Sequence, residues 1–282
     1  MKITVLVDNY TYIDQYYLGE PALSYYIECD NKKILFDVGY SNAFIKNANK
    51  MNINLNEIDT IVCSHGHNDH ILGLKYLCET IHTQDKNLIA HPLCFNPKYV
   101  ENEYIGTPYT VDELKTRFQL NLTKEVLNIT DSLIWLGEIP RINDFENKYP
   151  IGITQNNNKD EEDYLYDDSA LVYQSDNGIF IITACSHSGI CNIIEYAKQV
   201  CNDEKVLGVI GGFHLFELDN QTNKTIQYLE NENIPNLYPC HCVSLKVKAE
   251  MMKTLHVHEV GVGLTLDIEK KEQMFLYFFN SF

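Results

Sequence analysis

The sequence predicts a mixed α/β fold in which two sheets are flanked by helices. Two features of its order carry that prediction. Short strands joined by polar turns crowd the first 64 residues, and after about residue 170 helices alternate with short apolar strands. Hydrophobic residues make up 45% and charged residues 22% of the 282, a globular balance that excludes disorder and low complexity. A chain of this length buries about three quarters of its unfolded surface, so its core needs no disulfide staples.

Lys2–Val7 reads as the first strand. Ala22–Glu28 and Lys33–Asp37 follow as a pair joined by the polar turn Asp30-Asn31-Lys32. Ala43–Met51 has helical character, and Asn56-Glu57 starts a short turn. Thr60–Cys63 is a brief continuous apolar run, the pattern of a strand covered on both faces. A dense polar cluster comes next, then a helix over Ile71–Leu77 and a strand at Leu88–Ala90. From about 95 to 168 the signals weaken. Pro97, Pro108, Pro140 and Pro150, with the polar run Gln155–Asp163, read as an inserted cap or loop region within one domain spanning 1–282.

Regular signals then return. Ala170–Tyr173 and Ile179–Thr183 are strands joined by the hairpin signature Asp176-Asn177-Gly178. Helices are expected at Ile190–Val200, Asn220–Glu230 and Lys246–Thr254, and strands at Val206–Ile210, Asn236–Tyr238 and Glu259–Asp267. The aromatic tail Met274–Phe279 suits a terminal strand, and it serves equally as core packing or as a homodimer contact.

With 22 basic and 39 acidic residues the net charge is −17, which opposes long-range attraction to nucleic acid or to an anionic membrane. The apolar start Ile3–Val7 is too short for a signal-peptide core, and no run is long enough to span a membrane. Nine cysteines, an odd number and several inside apolar runs, read as reduced thiols rather than a disulfide framework. A cytoplasmic protein acting on a small molecule is the expectation.

The chemistry concentrates at His65-Gly66-His67-Asn68-Asp69-His70, four metal-binding side chains within six residues between an apolar strand and a helix. His65 and His67 can point to one centre, and the following turn can bring Asp69 and His70 to a second beside it. Gly66 permits close backbone approach. Imidazole and carboxylate donors suit zinc, iron or manganese better than magnesium or calcium. His214, after an apolar strand and a double glycine, is a candidate acid or substrate contact. Arg141 is a candidate grip for phosphate or carboxylate. Cys240 and Cys242 flank His241, and in extended chain both thiols would point away from it into packing.

The run from His65 to His70 resembles the HxHxDH signature of the metallo-β-lactamase superfamily, and Asp37, after Ile34-Leu35-Phe36, resembles its orienting aspartate. Thr183–Ile190, Gly211–Leu215, Pro239–Cys242 and Glu138–Arg141 resemble a narrower branch. These are the metal-dependent hydrolases of β-lactamase superfamily II, which are similar to dihydropterin ribofuranosyl-aminobenzene 5'-phosphate synthases. The resemblance implies a four-layer αββα sandwich with two divalent metal ions at one edge, zinc foremost and iron or manganese as alternatives. It implies His65, His67 and His187 on the first ion and Asp69, His70 and His241 on the second. The family's bridging aspartate falls near Cys185 here, and its usual upstream histidine near Asp167-Asp168. Cys185 is therefore either a thiolate ligand or an inert small residue that leaves His187 to complete the site.

The activity expected is that of a metallo-hydrolase. Metal-activated water, with Asp69 orienting it or taking its proton, would attack an anionic or phosphorylated ester, lactone, thioester or phosphodiester. The competing readings are an iron-dependent redox enzyme on the same scaffold, a pterin-related synthase, and a non-catalytic metal-binding sensor.

Overall fold

Alternation along the strands decides the layering of the computed structural model, which describes residues 1–157 and 159–268 and the backbone of 275–276. The first half of the chain gives β1 (Lys2–Val7), β2 (Ser24–Cys29), β3 (Lys32–Phe36), β4 (Thr60–Val62) and β5 (Asn87–Ala90). Successive side chains of a strand face opposite ways, and here each face finds its own core. Ile34 and Phe36 of β3, like Tyr25 and Ile27 of β2, enter one buried cluster, whereas Leu35 and Tyr26 enter another. Between these strands lie α1 (Ala43–Lys50), α2 (Asn68–Ile71) and α3 (Leu74–Thr80).

The middle stretch holds β6 (Lys98–Val100), β7 (Glu103–Tyr104), α4 (Val111–Arg117), β8 (Gln119–Leu122), β9 (Leu127–Asn128), β10 (Leu133–Trp135), β11 (Ile153–Asn156) and β12 (Lys159–Glu162). The last third adds β13 (Leu171–Ser175), β14 (Gly178–Ile182), α5 (Ile190–Cys201), β15 (Val206–Gly211), α6 (Asn220–Glu232), β16 (Leu237–Pro239), α7 (Leu245–Met251), β17 (Thr265–Asp267) and β18 (Phe275–Leu276).

These strands form an eight-stranded sheet, β18-β17-β1-β2-β3-β4-β5-β8, and a six-stranded sheet, β16-β15-β14-β13-β10-β9. Ile3, Val5 and Phe36 from the first meet Trp135, Tyr173 and Phe180 from the second in one shared core. The opposite face of the larger sheet buries Phe44, Leu74, Leu77 and Leu114 from its helices. That of the smaller sheet buries Ile193, Ile194, Leu229, Val247 and Met251. The order of layers is helix, sheet, sheet, helix, the αββα sandwich that the motif resemblance implied.

The structure departs from the expected elements in three places. Residues 95–168 are not simply an insertion, because β8, β9 and β10 complete the edges of the two main sheets. Only β12-β11-β6-β7 stand apart as a small third sheet. The helix expected over Ile71–Leu77 is split into α2 and α3. There the Gly73 N–H bonds the Gly39 carbonyl, and the His70 carbonyl takes the Val38 N–H. The strand expected over Glu259–Asp267 shortens to β17, since Gly263 turns with a φ of 96°. Of the aromatic tail, β18 pairs with β17, and the rest lies outside the described residues.

Strands β3, β4 and β5 run parallel, as do β14, β15 and β16. Parallel strands release their chains at one edge, so the segments after β3, β4, β14, β15 and β16 gather there. All nine cysteines are free thiols, and no helix among the described residues is long and apolar enough to cross a membrane.

Candidate metal centre

Each of those strand ends delivers a polar side chain to the same edge. Asp37 follows β3, His65 follows β4, Cys185 and His187 follow β14, His214 follows β15 and His241 follows β16. Asp37, Ser186, His214 and His241 all have positive φ, between 49° and 58°. Such backbone costs about 1–3 kcal/mol per residue and persists where surrounding structure imposes it.

Two sets of donor atoms meet here. His65, Cys185 and His187 form one, and Asp69, His70, Cys185 and His241 form the other, with all ligand atoms in each set within 4.8 Å of one another. His65 Nε2 lies 3.2 Å from His187 Nε2, and His70 Nε2 lies 3.2 Å from both His241 Nε2 and Cys185 Sγ. Asp69 Oδ2 is 3.4 Å from His70 Nε2 and 3.2 Å from His241 Nε2. Ligand atoms about 2.0–2.1 Å from a tetrahedral cation stand about 3.3 Å apart, so these spacings fit divalent metal. The His67 ring centroid is 4.8 Å from that of His65 and 4.9 Å from that of His187. Its buried Nε2 has no hydrogen-bond partner among the described residues.

Cys185 belongs to both sets. The turn after β14 brings both His187 and Cys185 inward, within donor distance of the neighbouring imidazoles. Asp167 and Asp168, near the family's usual histidine position, face other partners. Asp167 accepts the Gly66 N–H, and Asp168 accepts the Ser188 N–H and hydroxyl.

Outer contacts fix the rings. His70 Nδ1 lies 2.7 Å from Asp37 Oδ2, and Ser64 donates its hydroxyl to the same oxygen at 2.6 Å. Ser64 Oγ is also 2.9 Å from His65 Nδ1, so one carboxylate steadies a histidine of each set. His241 is held by the Asp8-Asn9 pair, with its N–H on Asp8 Oδ1 at 2.9 Å and its Nδ1 3.1 Å from Asn9 Oδ1. Sequence reasoning missed Asp8, Asn9 and Ser64. The available signal was a polar pair directly after the apolar first strand, the arrangement that singled out Asp37. Gly66 is required by space, since a Cβ there would stand 2.0 Å from the Cys94 carbonyl oxygen.

Burial pushes the His65 and His187 imidazoles well below the usual histidine range, and His67 down to about 4. All three stay neutral with lone pairs to offer. Burial would raise the Asp69 carboxyl, but the His70 and His241 imidazoles outweigh it and hold it ionised. Burial would likewise depress His70, yet Asp69 and Asp37 outweigh it and raise its affinity for a proton. A proton and a divalent cation compete for that Nε2.

His67, Asp69, Cys185, His187 and His241 line a cavity of about 510 Å³ whose walls include Pro21, Tyr40, Ile105, Ile151 and Phe216, with His65 and His70 buried behind them. His214 stands in its wall, 4.4 Å from the His187 ring, with a buried Nδ1 that lacks a hydrogen-bond partner among the described residues. Cys240 packs in the core beside the Tyr25 hydroxyl at 3.1 Å, but Cys242 lines the cavity instead of pointing away. The left-handed turn at His241 breaks the strand alternation that the sequence reading assumed.

Arg141 takes no part in the cavity lining. Its Nε donates to Asn147 Oδ1 at 2.6 Å, its Nη2 to the Tyr164 and Leu165 carbonyls at 2.9 Å, and its guanidinium covers the Tyr166 ring. These bonds give Arg141 a structural role outside the lining of the cavity where a grip on substrate was expected. His91, bound to Glu138 and to the Leu93 N–H, is structural too.

Comparison with known proteins agrees with this architecture. Residues 18–86 match the metallo-β-lactamase superfamily model. A crystal structure of a metal-dependent hydrolase of the β-lactamase superfamily superposes with a TM-score of 0.80 at 26% identity, covering 95% of this chain and 99% of that one. An uncharacterised protein of Methanocaldococcus jannaschii is 34% identical over 251 residues, 88% of this chain and 93% of its own. The chain belongs to the metallo-β-lactamase superfamily. A 7,8-dihydropterin-6-methyl-4-(β-D-ribofuranosyl)-aminobenzene-5'-phosphate synthase of the same organism is 29% identical over 269 residues, 90% of this chain and 91% of its own. Within the metallo-β-lactamase scaffold, the donor set described above suits the divalent metals that this superfamily typically binds.

Proposed function

We propose that this protein is a metal-dependent hydrolase of a small molecule carrying an ester, lactone, thioester or phosphodiester. The observation that carries the reading is the convergence of both donor sets, with Cys185 common to them, beside one open cavity that Asp69, Cys185, His187 and His241 line. His65, His67 and His187 would hold the first of two divalent ions and Asp69, His70 and His241 the second, with Cys185 between. Thiolate and imidazole donors favour zinc over magnesium or calcium. When bound, such ions supply Lewis acidity and lower the pKa of water.

The chain's own groups do the rest. Asp69, partly exposed where it lines the cavity, would orient the attacking water and accept its proton. His214, which lines the same cavity, would return a proton to the leaving group. No lysine or arginine is among the residues lining the cavity, so an anionic or phosphorylated substrate would rely on the cations for its charge.

A second reading, synthase chemistry, is favoured by the 29% identical dihydropterin synthase relative. The walls of Pro21, Tyr40, Ile105 and Phe216 would accept a flat ring. The test is to purify the protein without added metal, measure its metal content, and assay a panel of esters, lactones, thioesters and phosphodiesters in ¹⁸O-labelled water. Hydrolysis places the label in product, and Asp69→Asn lowers kcat by at least about 100-fold. Turnover that joins two substrates without the label supports the synthase reading. Iron content with oxygen-dependent turnover supports redox chemistry instead.

A further inference from the structure

We infer that Asp167, held by Lys98, is the positioning residue for the His65-Gly66-His67 turn and through it for the first cation position. The inference rests on the metal-dependent reading above. Asp167 Oδ2 accepts the Gly66 N–H at 2.8 Å, and its Oδ1 accepts from Lys98 Nζ at 3.1 Å. Lys98 Nζ also donates to Asp163 Oδ2 at 2.6 Å. The Lys98 and Asp167 side chains are each 1% exposed.

A buried ion triad does little for stability, since desolvating three charges offsets much of their attraction. What this one provides is placement. The amide that Asp167 grips lies between two proposed ligands, in a turn whose other side is closed by the Cys94 carbonyl and the Lys98 stem. Burial opposes ionisation of Asp167, but the Lys98 charge and hydrogen bond, with the Gly66 N–H and the nearby His67 ring, together outweigh it and hold the carboxyl below its usual range. Charged acceptors make the stronger hydrogen bonds.

The triad serves one cation position and not the other. His70 rests on Asp37 and His241 on Asn9, and among the described residues neither ring hydrogen-bonds Lys98 or Asp163. It also ties the first position to the small sheet, because Lys98 opens β6. A second tie runs beside it, from the Asn68 N–H to the carbonyl of wall residue Ile105 at 2.7 Å.

Two isosteric variants separate placement from mere structure. Asp167→Asn and Asp163→Asn each remove one charge from the same triad, but only Asp167 touches the turn. Metal-free protein is titrated with zinc against a chromophoric chelator, and with cobalt while its visible spectrum is followed. Asp167→Asn is expected to weaken one zinc equivalent by about 10–100-fold and alter one cobalt environment, leaving the other equivalent unchanged. Asp163→Asn is expected to bind both ions as the wild type does. Repeating the titration in a His241→Ala background, where only the first set is complete, identifies the affected position. Should Asp167→Asn not fold, Asp167→Glu keeps the charge for Lys98, displaces the oxygen from Gly66 and carries the same expectation. Equal behaviour of the Asp167 and Asp163 variants, or equal weakening of both positions, overturns the inference. A wild type that binds no zinc or cobalt overturns the metal reading instead.

Discussion

His70 Nδ1 stands 2.7 Å from Asp37 Oδ2, and both side chains are fully buried. The same carboxylate receives the Ser64 hydroxyl, which in turn meets His65 Nδ1. One residue outside either donor set thus orients an imidazole in each, and the two contacts differ in directness. Replacing Asp37 by Ala is expected to weaken both cation positions, by about 10–100-fold each. Ser64→Ala should weaken only the first. Zinc titration of the metal-free variants checks both, and loss at a single position in Asp37→Ala would contradict the shared role.

Cys185 makes a parallel prediction about the donors themselves. Because its sulfur belongs to both sets, Cys185→Ser should disturb both positions and abolish the sulfur-to-metal charge-transfer absorption of cobalt-loaded protein. His187→Ala should disturb the first position alone and keep that absorption. A Cys185→Ser protein with an unchanged cobalt spectrum would make the thiol inert packing.

Much of this was legible in the sequence for a local reason. The donors from His65 to His70 sit within six residues between a strand and a helix, so spacing alone announces them. His187 and His241 lie 122 and 171 positions from the histidines they meet, and parallel strand ends rather than spacing bring them in. Family resemblance supplied what periodicity could not. Lys98 and Ser64 carry no pattern, because one lysine or one serine looks the same on a surface as beneath a turn. Strands as short as β9 and β10 fall below the length at which alternation is readable, which made a sheet edge look like an insertion.

Arg141 should matter for stability and not for substrate. Its bonds to Asn147 and to the Tyr164 and Leu165 carbonyls are partly buried, and hydrogen bonds to charged groups contribute about 1.5–3 kcal/mol each. Arg141→Ala is expected to lower the unfolding free energy by about 2–3 kcal/mol in a denaturant titration. KM and metal content should stay at their wild-type values. A large rise in KM with unchanged stability would return Arg141 to the binding site.

Asp168 gives the fold a pH dependence whose sign runs against the usual carboxylate. Burial lifts its carboxyl from the ordinary 3.8 to about 6, against the opposing bonds from Ser188. The folded state therefore holds this proton more tightly than the unfolded chain does. Its contribution is fully present below about pH 4 and is lost as pH rises to about 6, because the unfolded state binds fewer protons throughout that window. The total is about 3 kcal/mol. Asp168→Asn cannot ionise and should lack this component. Thermal melts of metal-free wild type and variant between pH 4 and 7 read it directly: the wild type should lose stability relative to the variant as pH rises, and the difference should level off above about pH 6. Parallel pH profiles for the two proteins would mean that Asp168 titrates as an ordinary, solvated carboxylate.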